Sequence, residues 1–433
     1  MKSIKLLVYT SILVLLTLPA FGQSTDGKAL KVNQQRIERR IQELSEFGRD
    51  ATGKGYRVAY SKGDVAARVW LIDLMEKAGL AVSIDYAGNL IGKRNGKNDA
   101  LKPIAFGSHI DMVPDGGNYD GCVGSIAALE IMEVLKEGEV VTEHPLEMII
   151  FSNEEGAVFG SRAMVQAIDP DVLASISHSG LSIEEGIKMI GGNAADSELR
   201  KPGSLAAFLE LHIEQGQVLD QENIQIGVVE GIVGFRLWEI EIEGSANHAG
   251  TTPMHLRRDA LVAASKLIVM INELTTKMEG DQVATVGQIS ITPGAGNVIP
   301  GKATLSLEIR DLSIAKIETL IAEIKRGGLE IEKSTQTNIT FRKRDFFSDP
   351  ALMDEQIQTS IAESAKSLGL SYKNMPSGAG HDTQEMANIA PVGMIFVPSV
   401  NGISHSPKEF TKAADMANGA NVLLQTILAL DKK

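Results

Sequence analysis

Short apolar runs alternate with helical stretches in the first third of the chain, and this alternation limits the possible folds more than any other feature. The runs at residues 81–86, 87–93, 103–106 and 146–151 are predicted strands, and the spacing of residues 123–135 predicts a helix. Helical patterns also lie within residues 37–79. Interleaved strands and helices predict an α/β fold with a largely parallel central sheet. Ligands bind such sheets beyond the carboxyl ends of the strands.

A different pattern occupies the middle of the chain. Trp238, Ile240 and Ile242 alternate with glutamates, which indicates a strand with one face in solvent. A helix at 261–274, strands at 282–291 and 303–310, a helix at about 313–325 and a strand at 338–343 follow. The order βαββαβ predicts a ferredoxin-like α+β domain inserted in the larger one. We therefore divide the chain into a first segment at 23–231, an inserted domain at 232–344 and a second segment at 345–433.

The first 22 residues have the pattern of a secretory signal peptide. Lys2 and Lys5 precede an uncharged stretch at residues 6–20, and small residues flank Phe21 at the expected cleavage site. The apolar core is too short to span a bilayer comfortably. We expect a mature protein that is secreted or periplasmic, with no membrane anchor after processing; a retained anchor is the alternative.

Charge and cysteine content exclude several classes of partner and of chemistry. The chain has a formal net charge of −13, which disfavours nucleic acid and acidic membranes as partners. Its single cysteine, Cys122, excludes an internal disulfide. A small buried residue is the preferred interpretation of Cys122, and a nucleophile is the alternative.

The segment GSHIDMVPDGGNYDG at residues 107–121 follows a predicted strand and combines histidine, aspartates and glycines. A two-metal site that activates water needs nitrogen and carboxylate ligands and one group that bridges both ions. His109 and Asp120 are candidate ligands, because the intervening glycines permit the chain to fold back. Asp111 could point the same way as His109, but we favour a brace for its imidazole.

Two adjacent carboxylates follow the predicted strand at 146–151. Glu154 and Glu155 could have different roles, with one binding metal and the other carrying a proton. The alternative is an exposed acidic loop. Five of the eight histidines lie in compact polar or glycine-rich segments, which favours a metal or catalytic role. These five are His109, His212, His248, His381 and His405. The other three carry no such pattern and are expected at the surface.

The motifs together resemble the amidase, hydantoinase and carbamoylase branch of the zinc-dependent exopeptidase-like amidohydrolases, over nearly the whole mature chain. This branch includes N-carbamoyl-L-amino-acid hydrolase, allantoate amidohydrolase and β-ureidopropionase. The segments that carry the resemblance are GSHID at 107–111, GGNYDG at 116–121, NEEG at 153–156, LHIEQG at 211–216, HAGTTPM at 248–254, GNVIP at 296–300, GAGHD at 378–382 and SHS at 404–406.

The resemblance implies a role for each matching residue. One metal would be held by His109, Asp120 and His212, and a second by Asp120, Glu155 and His405, with Asp120 as the bridge. Glu154 would move the proton. The further roles implied are oxyanion stabilisation for His248 and substrate binding for Gln215, Asn297, Arg310 and His381.

The resemblance also implies a lid and dimerisation surface in the inserted domain, and so a homodimer. The expected cofactors are two divalent metal ions per chain, zinc foremost, with manganese, cobalt or nickel as alternatives. The predicted activity is hydrolysis of a linear carbon–nitrogen bond in a small carboxylate substrate, foremost the ureido group of an N-carbamoyl-L-amino acid or allantoate-like compound. Two alternatives stay open, a dipeptidase or aminoacylase of the same fold and a non-catalytic carboxylate-binding metalloprotein.

Overall fold

The structure is a computed structural model, and it describes residues 30–50 and 54–432. The predicted signal peptide at residues 1–22 lies outside the described residues. The first half of the described chain contains α1 (Gln34–Ser45), α2 (Lys62–Lys77), β1 (Ala81–Ile84), β2 (Leu90–Arg94), β3 (Ile104–His109), α3 (Cys122–Glu137), β4 (Leu146–Phe151), α4 (Phe159–Val165), α5 (Pro170–Ala174), α6 (Ile183–Met189), β5 (Ala207–Ile213), α7 (Val218–Glu222) and β6 (Ile226–Ile232).

The second half begins with the long strand β7 and ends on a helix. Its elements are β7 (Gly234–Glu243), β8 (Asn247–His248), α8 (Ala260–Lys277), β9 (Val283–Thr292), β10 (Val298–Ile299), β11 (Lys302–Asp311), α9 (Ile314–Thr335), β12 (Asn338–Lys343), β13 (Ala351–Leu352), α10 (Glu355–Ser367), β14 (Tyr372–Ser377), α11 (Asp382–Met386), β15 (Val392–Val397) and α12 (Ala413–Leu430). Within the described ranges, no helix is long and apolar enough to cross a membrane.

The larger sheet has nine strands and a parallel centre. Its strand order is β1-β2-β4-β3-β5-β15-β6-β13, and β14 also pairs with β6. The central strands β4, β3, β5 and β15 run parallel to one another, whereas β1, β2 and β13 add antiparallel edges. Strands β3, β4, β5 and β15 are buried along their full length, as expected of strands covered on both faces. The predicted α/β fold class is confirmed.

Helices cover this sheet in two groups. Helices α3 and α12 contact each other and the central strands, and α1 and α10 pack against α12. Helices α4 and α11 contact each other and the strands β4, β5 and β15. Helix α2 ends at Lys77, and Gly79 follows with a φ of 88°, the left-handed conformation expected of a glycine cap. This arrangement leaves the carboxyl ends of the parallel strands to be closed by loops.

The smaller sheet has four antiparallel strands in the order β12-β7-β11-β9. Helices α8 and α9 pack together on its apolar face, where Trp238, Ile240 and Ile242 of β7 are buried. Along the chain the sheet is built in the expected order βαββαβ. The domain boundaries at 232 and 344, and the role of this unit as a lid, remain predictions.

One helix is longer than its sequence pattern indicated. We expected a helix at about 313–325, but α9 continues to Thr335. Gly327 and Gly328 favour an end near residue 326, yet Ile331 beyond them is buried in the core of the smaller unit. A Cβ at Gly327 would lie 2.2 Å from Sδ of Met270 on α8. The glycine therefore permits close packing of the two helices, and burial of the following turn outweighs its low helix propensity.

Candidate metal centre

Several predicted site residues lie where neighbouring parallel strands end. His109 is the last residue of β3, Glu154 and Glu155 follow β4, His212 lies near the end of β5, and His405 lies in the loop after β15. Because β4, β3, β5 and β15 are adjacent and parallel, their carboxyl ends meet at one edge of the sheet. Residues that are up to about 300 positions apart in sequence are thereby brought together.

Asp120 lies at the centre of this group, and its two carboxylate oxygens face different partners. Oδ1 is 3.1 Å from Nε2 of His212 and 3.5 Å from Nε2 of His109. Oδ2 is 3.4 Å from Nε2 of His405, which is also 3.5 Å from Oε2 of Glu155. Asp120 thus has the geometry of a bridging ligand, with one oxygen directed to each side.

The two buried imidazoles have defined orientations. Nδ1 of His109 lies 3.0 Å from the main-chain oxygen of Asp111, and Nδ1 of His212 lies 2.9 Å from that of Ile213. A carbonyl oxygen can only accept, so each Nδ1 carries the proton. Nε2, the other nitrogen of each ring, therefore faces Asp120 and is the atom that would bind a metal once it has lost its proton.

The approach of Asp120 to His109 depends on Gly121. This glycine has a φ of 62°, and a Cβ on it would lie 2.3 Å from Nε2 of His109. It immediately precedes α3, which begins at Cys122. A larger residue would displace the imidazole, so Gly121 has both a conformational and a steric role.

Asp111 braces the site in a different way from the one expected. The expected contact of its carboxylate with the His109 imidazole is long, 3.7 Å from Oδ1 to Nδ1, and the main-chain oxygen makes the closer contact. The carboxylate instead accepts the main-chain N–H groups of Glu154 at 3.3 Å and Glu155 at 3.2 Å. Asp111 therefore holds the carboxylate pair in place with its side chain and orients His109 with its backbone.

The turn that carries the two glutamates has an unusual backbone. Asn153, Ala157 and Val158 have φ values of 52°, 68° and 50°, in the left-handed region that non-glycine residues rarely adopt. Such conformations persist only where surrounding contacts impose them, and they occur often at functional sites. The side chains of Glu154 and Glu155 are each only 9% exposed, so the alternative of an exposed acidic loop is wrong.

Electrostatics in this cluster are dominated by uncompensated carboxylates. Burial alone would lower the pKa of His109, but Glu154, Asp120 and Asp111 outweigh it and raise that pKa well above its ordinary value. Burial alone would raise the pKa of Asp120, but the three imidazoles hold it well below its usual range. The hydrogen bond to Asp120, together with Glu155, raises the pKa of His405 to about 9. Positive charge is therefore strongly favoured around Asp120.

The two neighbouring glutamates respond mainly to burial. Burial raises the pKa of Glu154 well above its ordinary value despite the nearby His109, and Asp382 and Glu155 add to the effect. Burial, reinforced by the charge of Asp120, raises the pKa of Glu155 to about 7. A carboxyl group that holds a proton near neutral pH is suited to general acid–base work.

The residues present fit a pair of divalent ions. Within the described part of the chain, ligand atoms of His109, Asp120 and His212 lie within 4.8 Å of one another, as do those of Asp120, Glu155 and His405. Oε1 of Glu155 is buried and has no hydrogen-bond partner among the described residues. We define these as the first and second metal groups. Nitrogen and oxygen donors sharing one carboxylate match the chemistry of a two-metal site.

A third group of potential ligands, Glu210, His212 and His381, is less suited to an ion. The carboxylate of Glu210 accepts hydrogen bonds from Ser108 at 2.7 Å and from the hydroxyl of Thr383 at 2.6 Å. Its oxygens are therefore occupied, and they tie β3 and β5 to the start of α11.

Glu409 is a residue of the site that the sequence motifs did not indicate. One oxygen accepts the main-chain N–H groups of Tyr119 at 2.8 Å and Asp120 at 3.0 Å. The other accepts the Ser404 hydroxyl at 3.0 Å and the main-chain N–H of His405 at 3.2 Å. This one carboxylate joins the loop of the bridging ligand to the loop of His405. The only sequence indication was an acidic residue four positions after a candidate histidine.

The predicted substrate-binding residues lie at different distances from the metal groups. Nε2 of Gln215 donates to Oδ2 of Asp120 at 2.7 Å, and the imidazole of His381 stacks edge-on at 4.5 Å from that of His212. His381 is buried and pairs with the hydroxyl of Ser377 at 2.8 Å. Burial and the neighbouring His212 hold the pKa of His381 well below its usual range, so its imidazole is neutral.

The other three predicted residues belong to the smaller unit. His248 and Asn297 are exposed and adjacent, since β8 pairs with β10 and the oxygen of Asn297 accepts the N–H of Ala249 at 3.0 Å. The contacts described for His248 are within its own turn. Arg310 instead reaches the larger unit, because Nη1 donates to the main-chain oxygen of Gly378 at 2.8 Å.

A parallel-centred α/β sheet with a bridging carboxylate between two imidazole–carboxylate groups defines a metal-dependent hydrolase. The chain belongs to the peptidase family M20/M25/M40, whose model matches residues 105–429. It is 38% identical to an N-carbamoyl-L-amino-acid amidohydrolase of Paenarthrobacter aurescens over 93% of this chain and 99% of that protein. It is 34% identical to an allantoate amidohydrolase of Escherichia coli strain K12 over 90% of this chain and 96% of that protein.

Solved structures agree with this assignment. An amidase of the hydantoinase/carbamoylase family from Burkholderia multivorans superimposes with a TM-score of 0.86 and 32% sequence identity, over 93% of this chain and 99% of that one. The resemblance drawn from the motifs is confirmed. The family is metal-dependent, which agrees with the two metal groups around Asp120.

Proposed function

We propose that this protein is a two-metal amidohydrolase that cleaves the ureido group of an N-carbamoyl-L-amino acid or an allantoate-like compound. The observation that carries the proposal is the bridging geometry of Asp120 beside the buried carboxyl of Glu154. The relatives named as N-carbamoyl-L-amino-acid and allantoate amidohydrolases support the choice of bond. Both are hydrolases of linear carbon–nitrogen bonds.

The metals would be held by the first and second metal groups, with Asp120 common to both. Divalent ions held there supply Lewis-acid polarisation of a carbonyl and lower the pKa of a bound water. Zinc is our first choice, since the donors are imidazoles and carboxylates; manganese, cobalt and nickel accept the same donors.

Glu154 is the proposed proton carrier. Its carboxyl lies 3.5 Å from Nε2 of His109 and is buried, with a raised pKa. The attacking water gives a proton to Glu154 while its oxygen bonds to the ureido carbon. The bond from that carbon to the substrate nitrogen then breaks, and Glu154 returns the proton to the leaving nitrogen. For an N-carbamoyl amino acid the products are the amino acid and carbamic acid, which decomposes to ammonia and carbon dioxide.

The remaining predicted residues would bind and orient the substrate. Arg310 and Asn297 are proposed to hold its carboxylate, because a guanidinium matches that group geometrically. Gln215 already lies at the bridging carboxylate, and the neutral His381 adjoins His212. We assign His248 to the developing oxyanion. It is exposed and belongs to the smaller unit, so this role requires that unit to close over the site or a partner subunit to supply the residue.

Assembly and location complete the proposal. The edge strand β9 of the smaller sheet exposes Val283 and Ile289, at 51% and 48%, which supports a homodimer formed through the proposed lid. The signal-like segment at residues 1–22 supports a secreted or periplasmic location.

An ammonia-release screen tests the function. The purified exported protein, loaded in turn with zinc, manganese, cobalt or nickel, would be offered N-carbamoyl amino acids, β-ureidopropionate, allantoate and dipeptides. We expect ammonia from at least one ureido compound. Release of amino acids from dipeptides without ammonia would establish a dipeptidase instead. Tight binding without turnover in every metal would overturn an enzymatic function.

A further inference from the structure

A cavity with an aromatic wall opens beside the carboxylate pair. Its volume is about 900 Å³. Glu154 and Glu155 line one part, and Phe235, Phe346 and Phe347 line another. We call these three phenylalanines the aromatic wall. Since the catalytic carboxyl and the wall share one cavity, a molecule held at the metal groups can also contact the wall.

Two rings of the aromatic wall are open to solvent, and each has one neighbour within the cavity lining or beside it. Phe346 is 69% exposed and Phe347 is 52% exposed. The rings of Phe235 and Phe346 lie 5.4 Å apart, and the guanidinium of Arg236 stacks 4.7 Å above the ring of Phe347. Arg236 is itself anchored by the main-chain oxygen of Ser348 at 2.7 Å. A group of exposed aromatic rings of this kind is suited to binding an apolar partner.

Arg310, the residue proposed to bind the substrate carboxylate, lies close to this wall. Its guanidinium carbon lies 5.4 Å from the centre of the Phe235 ring. Arg310 lines a second cavity together with Gln215 and Gly378, and its Nε pairs with Glu308 at 2.7 Å. A substrate carboxylate that replaced Glu308 there would lie next to Phe235, while the ureido group lies at Glu154. In an N-carbamoyl amino acid a single α-carbon joins the carboxylate to the ureido nitrogen. Its side chain would therefore enter the cavity along the phenylalanines.

Several polar groups in the same cavity are already engaged with one another. Nε of Arg162 pairs with the carboxylate of Glu385 at 3.0 Å. The amide nitrogen of Gln384 donates to the Ser348 hydroxyl at 2.7 Å and to the Asp349 oxygen at 2.8 Å. A second ureido group, as in allantoate, would have to displace these contacts. An aromatic or large aliphatic side chain would not, because it packs on the rings.

We propose that the aromatic wall is the side-chain subsite, and that the preferred substrates are N-carbamoyl amino acids with an aromatic or large aliphatic side chain. This assignment rests on the proposed function, since it presupposes that Arg310 and the metal groups hold the substrate.

The test is a comparison of kcat/KM for N-carbamoyl-phenylalanine, N-carbamoyl-leucine, N-carbamoylglycine and allantoate with the metal-loaded protein. We expect the phenylalanine compound to exceed the glycine compound by roughly tenfold or more, the discrimination typical of a hydrophobic pocket. Equal values for the two, or a preference for allantoate, would overturn the subsite while leaving the proposed function intact. Absence of ammonia from every compound would instead refute the proposed function.

Variants of the phenylalanines test whether the aromatic wall causes this preference. Phe346→Ala should reduce the phenylalanine-to-glycine ratio about tenfold, and Phe346→Leu should retain most of it. Tyr372→Ala is the matched control, since Tyr372 is an aromatic residue 42% exposed at the start of β14 and does not line this cavity. A ratio unchanged by Phe346→Ala and Phe347→Ala alike would exclude the wall as the side-chain subsite. Because both phenylalanines are largely exposed, we expect both variants to fold.

Discussion

The carboxylate of Glu409 accepts a hydrogen bond from the main-chain N–H of Asp120 at 3.0 Å, although 289 positions separate the two residues. Its other oxygen holds the Ser404 hydroxyl and the main-chain N–H of His405. The bridging ligand and the terminal histidine of the second metal group are therefore aligned by the same side chain. Residues that hold metal ligands in place usually affect metal affinity almost as much as the ligands themselves do.

We predict that Glu409→Gln weakens the second metal group selectively. An amide can accept from Tyr119 and Asp120, but its NH₂ cannot accept the N–H of His405. Chelator titration should remove one of the two ions about 10–100 times more readily than in the unmodified protein. Glu363→Gln, at an exposed position on α10, is the control. Equal retention of both ions in Glu409→Gln would show that the alignment is dispensable.

Glu154→Gln should separate metal binding from turnover. Glu154 belongs to neither metal group, so metal content should stay near that of the unmodified protein. Turnover should fall at least about 100-fold, because the variant cannot carry the proton. Glu155→Gln is the contrasting variant and should lose metal. Metal content and initial rates are measured on the same samples. Near-normal turnover in Glu154→Gln would show that Glu154 is not the proton carrier.

Metal affinity should rise with pH. In the metal-free protein the pKa of Glu155 is about 7 and that of His405 about 9, and both must be deprotonated to bind an ion. Between pH 9 and pH 6 we expect affinity to fall by roughly tenfold per unit for each proton displaced. Competition with a coloured chelator across this range measures the effect. A flat profile would contradict it.

The same two groups make the metal-free chain less stable as the pH rises, whereas the affinity for metal increases. Both folded-state pKa values lie above the ordinary values of 4.5 for a glutamate and 6.5 for a histidine. Their contribution to the free energy of unfolding is thus complete below those values and is lost as pH rises through about 7 and then about 9. The difference in Tm between loaded and metal-free protein should accordingly widen from pH 6 to pH 9.

Gly121→Ala should weaken metal binding as well as lower the free energy of unfolding. An alanine there has to adopt a φ of 62° with a ψ of −39°, a sparsely populated conformation that costs about 1–3 kcal/mol, and it also collides with His109. Gly369→Ala is a matched control, since Gly369 has a φ of 72° and no atom of the described residues lies within 4 Å of its added Cβ. Thermal unfolding should show a loss in both variants. Only Gly121→Ala should lose metal, and normal metal content in it would disprove the steric role.

Export can be checked from the N-terminus of the purified protein. We expect mass spectrometry of the exported form to find a chain that begins at residue 23, with removal of the segment ending at Gly22. Leu15→Asp, within the apolar core of that segment, should block export, whereas Ser24→Asp beyond the cleavage site should not. A protein that keeps residues 1–22 in the membrane fraction would support the anchor instead.

The strands and the ligand set were accessible from the sequence for different reasons. Buried runs such as residues 146–151 and the alternation of Trp238 with glutamates reflect local burial, which periodicity reports directly. The grouping of His212 and His405 with Asp120 came from the resemblance, because spacing alone does not tell which histidines meet. The roles of the ligands remain predictions, although the geometry places all five residues together.

What sequence reasoning missed depends on contacts between distant segments. Glu409 follows Ser406, Pro407 and Lys408 and has the pattern of an exposed turn, yet it is only 5% exposed because the loop at 117–120 packs on it. The carboxylate of Asp111 was expected on an imidazole and instead binds the backbone of the next strand's loop. The continuation of α9 through Gly327 likewise required knowledge of Met270 on a neighbouring helix. No local pattern encodes such contacts.

The two metal groups are completed at different times while the chain is being made. A nascent chain that stops after β5 already contains His109, Asp120 and His212, the whole first group. Of the second group it has Asp120 and Glu155, but it lacks His405 and the Glu409 carboxylate that aligns it. Both of these follow β15 in the chain. The second group therefore cannot be filled until synthesis has passed β15 and the loop that carries His405, whereas the first group needs only the chain up to β5.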